Sequence, residues 1–365
     1  MNTKPKFIKG LALSRAFYRQ AVKPILESDF PGLRHSAALI GHGSEVLGLD
    51  SARSTDHNWG PRLQLFLSKP DHAKYQARIK ARLGEKLPRR FLGHPVNFGE
   101  PDKLGVQVAE DSTQGPVNHR VEICIPKRFF QDALGVEHYG KIGVTDWLSF
   151  PQQELLCLTA GEVFYDGLCE VEKIRRKLAY YPHDVWLYLL ACQWTRIAQE
   201  EAFVGRCGEA GDELGSRVTA ARLVRDLMRL CFLFEKRYTP YTKWLGSAFA
   251  RLQCSKKLSP VLHKVLSATS WKQRETLLAQ AYGMVAGMHN RLRLGKPLSA
   301  KVSHFHDRPY RVIHAGRFAE QARAAIRDKV VRNIRTLAGS VDQFVDSTDA
   351  LSRPGIFKKL KVWDD

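Results

Sequence analysis

The chain has 365 residues, enough to bury a full hydrophobic core and to form two domains of about 100 to 200 residues each. Its 57 lysines and arginines outnumber its 37 aspartates and glutamates, and the formal charge of +20 favours polyanionic partners such as a nucleoside triphosphate or RNA. A basic surface that only aids solubility would give the same balance, so charge alone does not choose between these explanations.

Other bulk features exclude several classes of protein. The sequence has no apolar run as long as a membrane span and no signal-peptide core after its basic N-terminus. Its seven cysteines are scattered and include no Cys-x-x-Cys pair, which argues against a disulfide framework or a zinc site. We therefore expect a cytoplasmic protein without a membrane partner, whose oligomeric state the sequence leaves open.

In the first half of the chain, apolar periodicity predicts a small sheet with helices. Alternating apolar residues in the last predicted strand place Glu122 on its polar face. Pro24 should kink or end the first helix. The predicted helices span residues 11–27 and 70–83, and the predicted strands span residues 37–40, 62–67 and 119–126.

From about residue 151 the pattern becomes helical, with apolar residues at intervals of three and four. The predicted helices span residues 152–159, 170–178, 182–203, 213–235, 243–252, 259–268, 271–292 and 317–338. Such a succession predicts a helical bundle as a second domain. We place the domains at residues 1–150 and 151–365.

Between the first two predicted strands lies the segment with the most informative chemistry. Gly43 and Ser44 follow an apolar strand, and a turn of small residues lets backbone N–H groups approach an anion closely. Asp56 and Asn58 precede the next strand and, in an extended chain, would share one face. The segment predicts a phosphate and metal site, whereas the simpler interpretation is a turn followed by an aspartate that ends a loop.

The arrangement of Gly43, Ser44 and an acidic-x-acidic type pair entering a strand resembles the nucleotidyltransferase superfamily, whose fold is shared with polymerase beta. Residues 54–61 read Ser-Thr-Asp-His-Asn-Trp-Gly-Pro, similar to a bacterial branch catalogued only as a domain of unknown function. The pattern of that branch is Ser-x-Asp-His-Asp-Trp-Gly-Pro. Asn58 therefore stands where the branch has its second aspartate.

The resemblance implies an α+β fold, in which a nucleotidyltransferase-type mixed sheet with helices is followed by an α-helical bundle domain. It implies that Gly43 and Ser44 bind the phosphates of ATP or another nucleoside triphosphate. It also implies that Asp56, Asn58 and Glu122 are catalytic and ligate Mg²⁺, or Mn²⁺ in its place. In related small-molecule adenylyltransferases the position of Glu122 serves as metal ligand, general base or both, although a solvent-facing glutamate is the simpler alternative.

The neutral amide of Asn58 can still coordinate Mg²⁺ but brings no charge to offset a triphosphate. Three accounts of this residue remain open at the level of sequence. They are a natural enzyme with reduced metal dependence, a pseudoenzyme, and an engineered substitution that traps substrate.

The resemblance continues into the second half of the chain. Antibiotic adenylyltransferases have a similar layout, with a helical domain that closes over the acceptor. By that likeness, Arg206 and Lys243 would contact phosphates, whereas Glu200, Asp212 and Tyr238 would line the cleft that holds the acceptor. A structural role for each of these residues is an equal alternative.

These features lead to two functional hypotheses. The first is a Mg²⁺-dependent nucleotidyltransferase that moves a nucleoside monophosphate, foremost AMP from ATP, to a hydroxyl of an unidentified acceptor. That acceptor could be a small molecule, an RNA 3′ end or a protein side chain. The alternative is a catalytically weak nucleotide- or RNA-binding regulatory protein on the same fold, for which Asn58 is the main argument.

Overall fold

A computed structural model describes residues 5–103, 105–137, 140, 142–353 and 355–363 of the chain. Its strands are β1 (His35–Leu39), β2 (Arg62–Leu67), β3 (Arg90–Phe91), β4 (His94–Pro95), β5 (Arg120–Cys124), β6 (Glu162–Asp166), β7 (Ser303–Phe305) and β8 (Arg308–Val312). Its α-helices are α1 (Gly10–Phe17), α2 (Lys23–Asp29), α3 (Lys69–Lys86), α4 (Pro126–Leu134), α5 (Val144–Ser149), α6 (Gln152–Thr159), α7 (Val171–Leu178), α8 (His183–Glu200), α9 (Phe203–Glu209), α10 (Glu213–Phe234), α11 (Thr242–Phe249), α12 (Ser255–Ser267), α13 (Trp271–Asn290), α14 (Gly316–Ala324), α15 (Lys329–Asn333), α16 (Val341–Phe344) and α17 (Thr348–Leu351).

The chain forms two compact units. The first unit contains the described residues within 1–141 and 154–179, and the second contains those within 142–153 and 180–365. The mixed sheet lies in the first unit and most helices lie in the second, which confirms the predicted α+β class with a helical C-terminal part. Composition becomes helical near residue 151, yet the chain contributes a further strand, β6, to the sheet of the first unit.

The sheet of the first unit has the strand order β5-β2-β1-β6. Strand β1 is antiparallel to both β2 and β6, whereas β2 is parallel to β5. The register of the parallel pair places Arg62 beside Arg120 and Gln64 beside Glu122. Two arginines, a glutamine and a glutamate therefore lie next to one another across two strands.

The two faces of this sheet differ because side chains alternate along a strand. Leu63 and Leu65 of β2 belong to one hydrophobic cluster with Leu13 of α1 and Ile79 of α3. Residues at the intervening positions of β2 and β5 therefore point to the opposite face. This polar face carries buried Arg62 and Gln64 and the exposed Glu122.

The N-terminal helical segment is interrupted between α1 and α2. Tyr18–Val22 forms a π-helical turn directly before Pro24, which lies in the first turn of α2. Proline has no N–H to donate to residue 20 and its ring crowds that carbonyl, which accounts for the local change of helix type. The kink predicted near Pro24 is thus a π-helical turn.

The second unit is built around buried aromatic and polar contacts between helices. The Trp194 indole of α8 stacks on Phe318 of α14 at 4.5 Å between ring centroids. Its Nε1–H donates to His289 Nδ1 at 3.0 Å, and His289 Nε2 lies 3.0 Å from Gln321 Oε1. Burial lowers the pKa of His289, so the ring is neutral and can accept at Nδ1 while it donates at Nε2.

One helix prediction for this unit was wrong, and one hairpin was not predicted. The helix predicted over residues 317–338 is broken into α14 and α15, and β7 and β8 form a hairpin that apolar spacing did not indicate.

Among the described residues, none of the helices combines the length and the apolar character that crossing a membrane requires.

A glycine substitution pair in the first unit tests the packing at the edge of the sheet. Gly161 has a φ of +69°, and a Cβ there would lie 2.1 Å from the carbonyl oxygen of Leu39. Gly32 has a similar φ of +80° but open space around it. We expect Gly161→Ala to lower the free energy of unfolding by about 3 kcal/mol or more, and Gly32→Ala by about 1 kcal/mol. Denaturant unfolding measures both, and equal losses would contradict the steric argument.

Candidate functional site

The chain leaves β1 through a tight turn, residues 41–46, called here the Gly43 turn. Leu49 N donates to Ser44 O at 2.8 Å and holds the end of the turn. Gly43 has a φ of +147°, and a Cβ at this position would lie 2.5 Å from Arg62 Nη2. Both the backbone conformation and the available space therefore require glycine at position 43.

The Gly43 turn presents hydrogen-bond donors that nothing in the described part of the chain uses. Within those residues, the backbone N–H groups of Gly43, Ser44 and Glu45 have no acceptor, and the Ser44 hydroxyl has no partner. A series of unpaired N–H groups in a turn is an anion-binding arrangement. Phosphate binding by Gly43 and Ser44 stays a prediction, and the turn has the donors that it needs.

A buried ion pair fixes the Gly43 turn to strand β2. Arg62 Nε donates to Glu45 Oε1 at 2.8 Å, and the two side chains are only 6% and 4% exposed. Arg62 Nη2 also donates to the carbonyl oxygen of His42 at 2.7 Å. Arg62 therefore holds the turn at two points, the side chain of Glu45 and the backbone carbonyl of His42.

Gln64 links the start of the Gly43 turn to Glu122. Ile40 N donates to Gln64 Oε1 at 3.1 Å, and Gln64 Nε2 donates to Glu122 Oε2 at 3.3 Å. The Glu122 side chain is 44% exposed. One side chain, that of Gln64, therefore connects the backbone just before the Gly43 turn with the accessible carboxylate of Glu122.

Asp56 lies outside any strand and Asn58 has a positive φ, so strand alternation does not place the two on one face. Ala52–Asp56 forms a 3₁₀ turn, and β2 begins only at Arg62. Ser51 N donates to Ser54 Oγ at 3.1 Å, and this local bond favours the turn over an extended chain. The Asp56 carboxylate is exposed and contacts His57 Nδ1 at 2.6 Å.

The residues after Asn58 have structural roles. Trp59 is buried, stacks on Phe7 at 5.6 Å and donates to Asp50 Oδ2 at 3.3 Å. Asp50 Oδ2 also accepts from Gly10 N, at the start of α1. A Cβ on Gly10 would lie 2.7 Å from Trp59 Nε1. This packing fixes the loop that carries position 58.

Three hydrogen bonds restrain Asn58. Its φ of +50° is a left-handed conformation that asparagine tolerates better than most residues. Asn58 N donates to Gln107 O at 2.7 Å, and Gln107 N donates to Asn58 Oδ1 at 3.2 Å. The same oxygen accepts from Arg120 Nη1 at 2.5 Å. The amide oxygen therefore faces a guanidinium group.

The three predicted metal ligands differ in their surroundings. Asp56 and Glu122 offer exposed carboxylates, the oxygen type that Mg²⁺ prefers. The Asn58 oxygen, however, is engaged by Arg120 and Gln107. Among the residues described, no group of three or more His, Cys, Asp or Glu is placed to hold a metal ion. Magnesium stays a prediction from the resemblance.

His42 and Glu154 form a second charged pair at the Gly43 turn, which sequence reasoning missed. His42 Nε2 lies 3.3 Å from Glu154 Oε2; the imidazole is 71% exposed and the carboxylate 3% exposed. Glu154 Oε1 is buried without a hydrogen-bond partner among the described residues. Hydrogen bonding to Cys157, and then to Glu154, raises the pKa of His42. Helix α6, which carries both partners, is distant in sequence, so only the fold reveals the pair.

The predicted site residues of the second unit have partners within that unit. Asp212 caps α10, since its Oδ1 accepts from Gly215 N at 2.7 Å. Glu200 accepts from Arg222 Nε at 3.0 Å through its Oε2. These contacts give both carboxylates a structural role, and their part in a cleft stays a prediction.

The other three residues differ in exposure. Tyr238 is buried, with ring centroids 5.2 Å from both Tyr180 and Tyr181. Lys243 is exposed on α11 with its Nζ 5.1 Å from the Trp244 ring centroid, and Arg206 is exposed on α9. Phosphate contact is therefore sterically open to Arg206 and Lys243, whereas the Tyr238 ring is largely covered.

A protein-family model described as a domain of unknown function (DUF4037) matches residues 147–245. The match agrees with the expected relation to a family of unknown function, although it lies C-terminal to residues 54–61, which carry the motif. No curated protein matches the chain. The crystal structure of a nucleotidyltransferase-like protein from Exiguobacterium sibiricum 255-15 is similar over 81% of this chain and 82% of its own, with 11% identity and a TM-score of 0.27. A TM-score of this size supports no conclusion about fold or function.

The His42 pair gives a prediction about pH. Because the folded-state pKa of His42 is raised above the ordinary value of about 6.5, the folded protein keeps a proton that the unfolded chain releases. The stability contributed by the pair is present below about pH 6.5 and is lost as the pH rises through the raised pKa. We expect an NMR titration to place His42 above 6.5, and Glu154→Gln to lower its pKa. Glu85→Gln, at an exposed ion pair of α3, should leave it unchanged. Titration of wild-type His42 at or below about 6.5 would contradict the assignment.

Proposed function

We propose that the first unit binds a nucleoside triphosphate at the Gly43 turn and transfers its nucleoside monophosphate to an acceptor hydroxyl. ATP is the foremost donor, with AMP transferred. The observation that carries the proposal is the Gln64 bridge, which connects the backbone entering an anion-binding turn with the exposed carboxylate of Glu122. Nucleotidyl transfer requires those two elements, a cradle for phosphates and a base for the acceptor, next to each other.

The chain supplies identifiable parts of this reaction. The free N–H groups of the Gly43 turn and the Ser44 hydroxyl donate to phosphate oxygens, in a position that Arg62 keeps fixed. Glu122 accepts the proton of the acceptor hydroxyl as the acceptor oxygen attacks the α-phosphorus. The bond between the α-phosphorus and the bridging oxygen breaks, and pyrophosphate leaves with the electron pair of that bond.

The second unit is the proposed location of acceptor binding, with Glu200 and Asp212 as acidic candidates and Arg206 and Lys243 as phosphate contacts. Carboxylates suit a cationic small molecule, whereas the formal charge of +20 suits RNA. Both acceptor classes belong in the test.

A second candidate function is binding of a nucleotide or RNA without transfer, in a regulatory protein. The contact between Asn58 Oδ1 and Arg120 favours it, because the predicted ligand at this position is neutral and already hydrogen-bonded. Such a protein would retain nucleotide or RNA with a steep salt dependence and label no acceptor.

A labelling assay separates these functions. The purified protein is incubated with each of four α-³²P-labelled nucleoside triphosphates and Mg²⁺ in the presence of cell extract, small-molecule pools or RNA pools. We expect an acceptor to become labelled as pyrophosphate is released. Glu122→Gln should lower the rate by about 100-fold or more, because the amide cannot take the proton.

Glu85→Gln is the matched control for this assay. Glu85 is an exposed carboxylate of the same unit on α3, where it pairs with Arg82. Its substitution should leave labelling unchanged. Full activity of Glu122→Gln would remove Glu122 from the reaction, and nucleotide binding without label in any pool would favour the regulatory function.

A further inference from the structure

Arg120 carries a fixed positive charge between two of the predicted metal ligands. Its Nη1 donates to Asn58 Oδ1 at 2.5 Å, and its Nη2 lies 3.7 Å from Glu122 Oε1. The two oxygens that the resemblance assigns to a divalent cation thus share a guanidinium group. The arginine is on β5, two residues before Glu122, so both side chains lie on the polar face of the sheet.

The surroundings of Arg120 restrict its movement. Its side chain is only 19% exposed, and its Cζ lies 5.5 Å from the centroid of the Phe98 ring. Burial, and then the neighbouring Arg62, lower the pKa of Arg120, but a guanidinium stays charged throughout the physiological range. A second cation close to this group would be repelled.

Asn58 matches this guanidinium better than the aspartate that the resemblance predicts. The amide oxygen accepts from Arg120 without neutralising it, whereas an aspartate would form an ion pair and cancel its charge. The hydrogen bonds to Gln107 keep the Asn58 oxygen in place. Asn58 therefore adds no negative charge beside Arg120, whose one ion-pair partner in the described structure is Glu122, at 3.7 Å.

We propose that Arg120 is the resident cation of the phosphate site, where it takes the place of a divalent ion between Asn58 and Glu122 and binds phosphate oxygens of the donor. The inference rests on the proposed function for the identity of the ligand, a nucleoside triphosphate. The claim that Arg120 excludes a metal ion does not depend on that function. This role of Arg120 explains the neutral residue at position 58, because the positive charge of the site comes from Arg120 and not from a bound metal ion.

The first test uses Mn²⁺ alone and needs no nucleotide. Electron paramagnetic resonance measures free Mn²⁺ in the presence of the wild type, Arg120→Gln, and the double variant Asn58→Asp/Arg120→Gln. We expect no binding by the wild type and measurable binding by the double variant, because an added carboxylate and a lost guanidinium convert the place into an oxygen-lined cation site. Binding by the wild type, or failure of the double variant to bind, would overturn the inference.

The second test measures binding of pyrophosphate and of the four nucleoside triphosphates by calorimetry, in EDTA and in Mg²⁺. We expect wild-type affinity in EDTA to stay within about threefold of that in Mg²⁺, and Arg120→Gln to lose about tenfold or more in EDTA, as expected for a lost charge-assisted phosphate contact. Arg120→Lys should retain part of the affinity because it keeps the charge.

Two controls make the outcomes separable. Arg19→Gln removes an exposed arginine of the same unit and should change neither measurement, and circular dichroism with denaturant unfolding shows whether each variant is folded. Wild-type binding that appears only with Mg²⁺ would overturn the inference while leaving the proposed function intact. Absence of binding in both buffers would reject the proposed function, and the Mn²⁺ measurement would then decide the role of Arg120 alone.

Discussion

The geometry of the candidate site depends on the buried ion pair between Arg62 and Glu45. Two charges with almost no exposure are costly to bury, and loss of either partner would leave the other unpaired, at a cost of about 3 to 5 kcal/mol. The pair ties a loop residue to the first residue of a central strand, so the turn cannot move independently of the sheet. It also fills the space beside Gly43, where any side chain would collide with Arg62 or Glu45.

The arrangement of donors and acceptors at the site follows from this constraint. Arg62 holds the carbonyl oxygen of His42 and the side chain of Glu45, and the N–H groups of Gly43, Ser44 and Glu45 have no acceptors in the described structure. Alternation along β2 then places Gln64 on the same face as Arg62, and the parallel register places Glu122 beside it. An anion-binding turn and a carboxylate are therefore adjacent because of strand geometry.

The sequence predicted much of the fold and less of the site. The α+β class, strand 62–67 and most helices of the second unit could be predicted because hydrophobic periodicity is a local property. Strand β6 could not, since its residues join the sheet only through pairing with β1, far away in sequence. The shared face that an extended chain would give residues 56 and 58 is absent, because a local hydrogen bond of serine favours a 3₁₀ turn up to Asp56. The roles of Arg120 and Glu154 depend on contacts across the fold, which no motif indicates.

The position of Asn58 is set by the packing around it together with the contacts of its side chain. Trp59, anchored through Asp50 to the start of α1, fixes the loop. Within it, Asn58 N donates to Gln107 O, and Gln107 N donates to Asn58 Oδ1. The side-chain oxygen at this place accepts from Arg120. The choice between aspartate and asparagine therefore decides the net charge of an already formed contact. With Glu45 neutralised by Arg62, the asparagine leaves Glu122 as the nearest carboxylate to Arg120, at 3.7 Å and partly exposed. A guanidinium and a carboxylate therefore lie side by side on the polar face of the sheet.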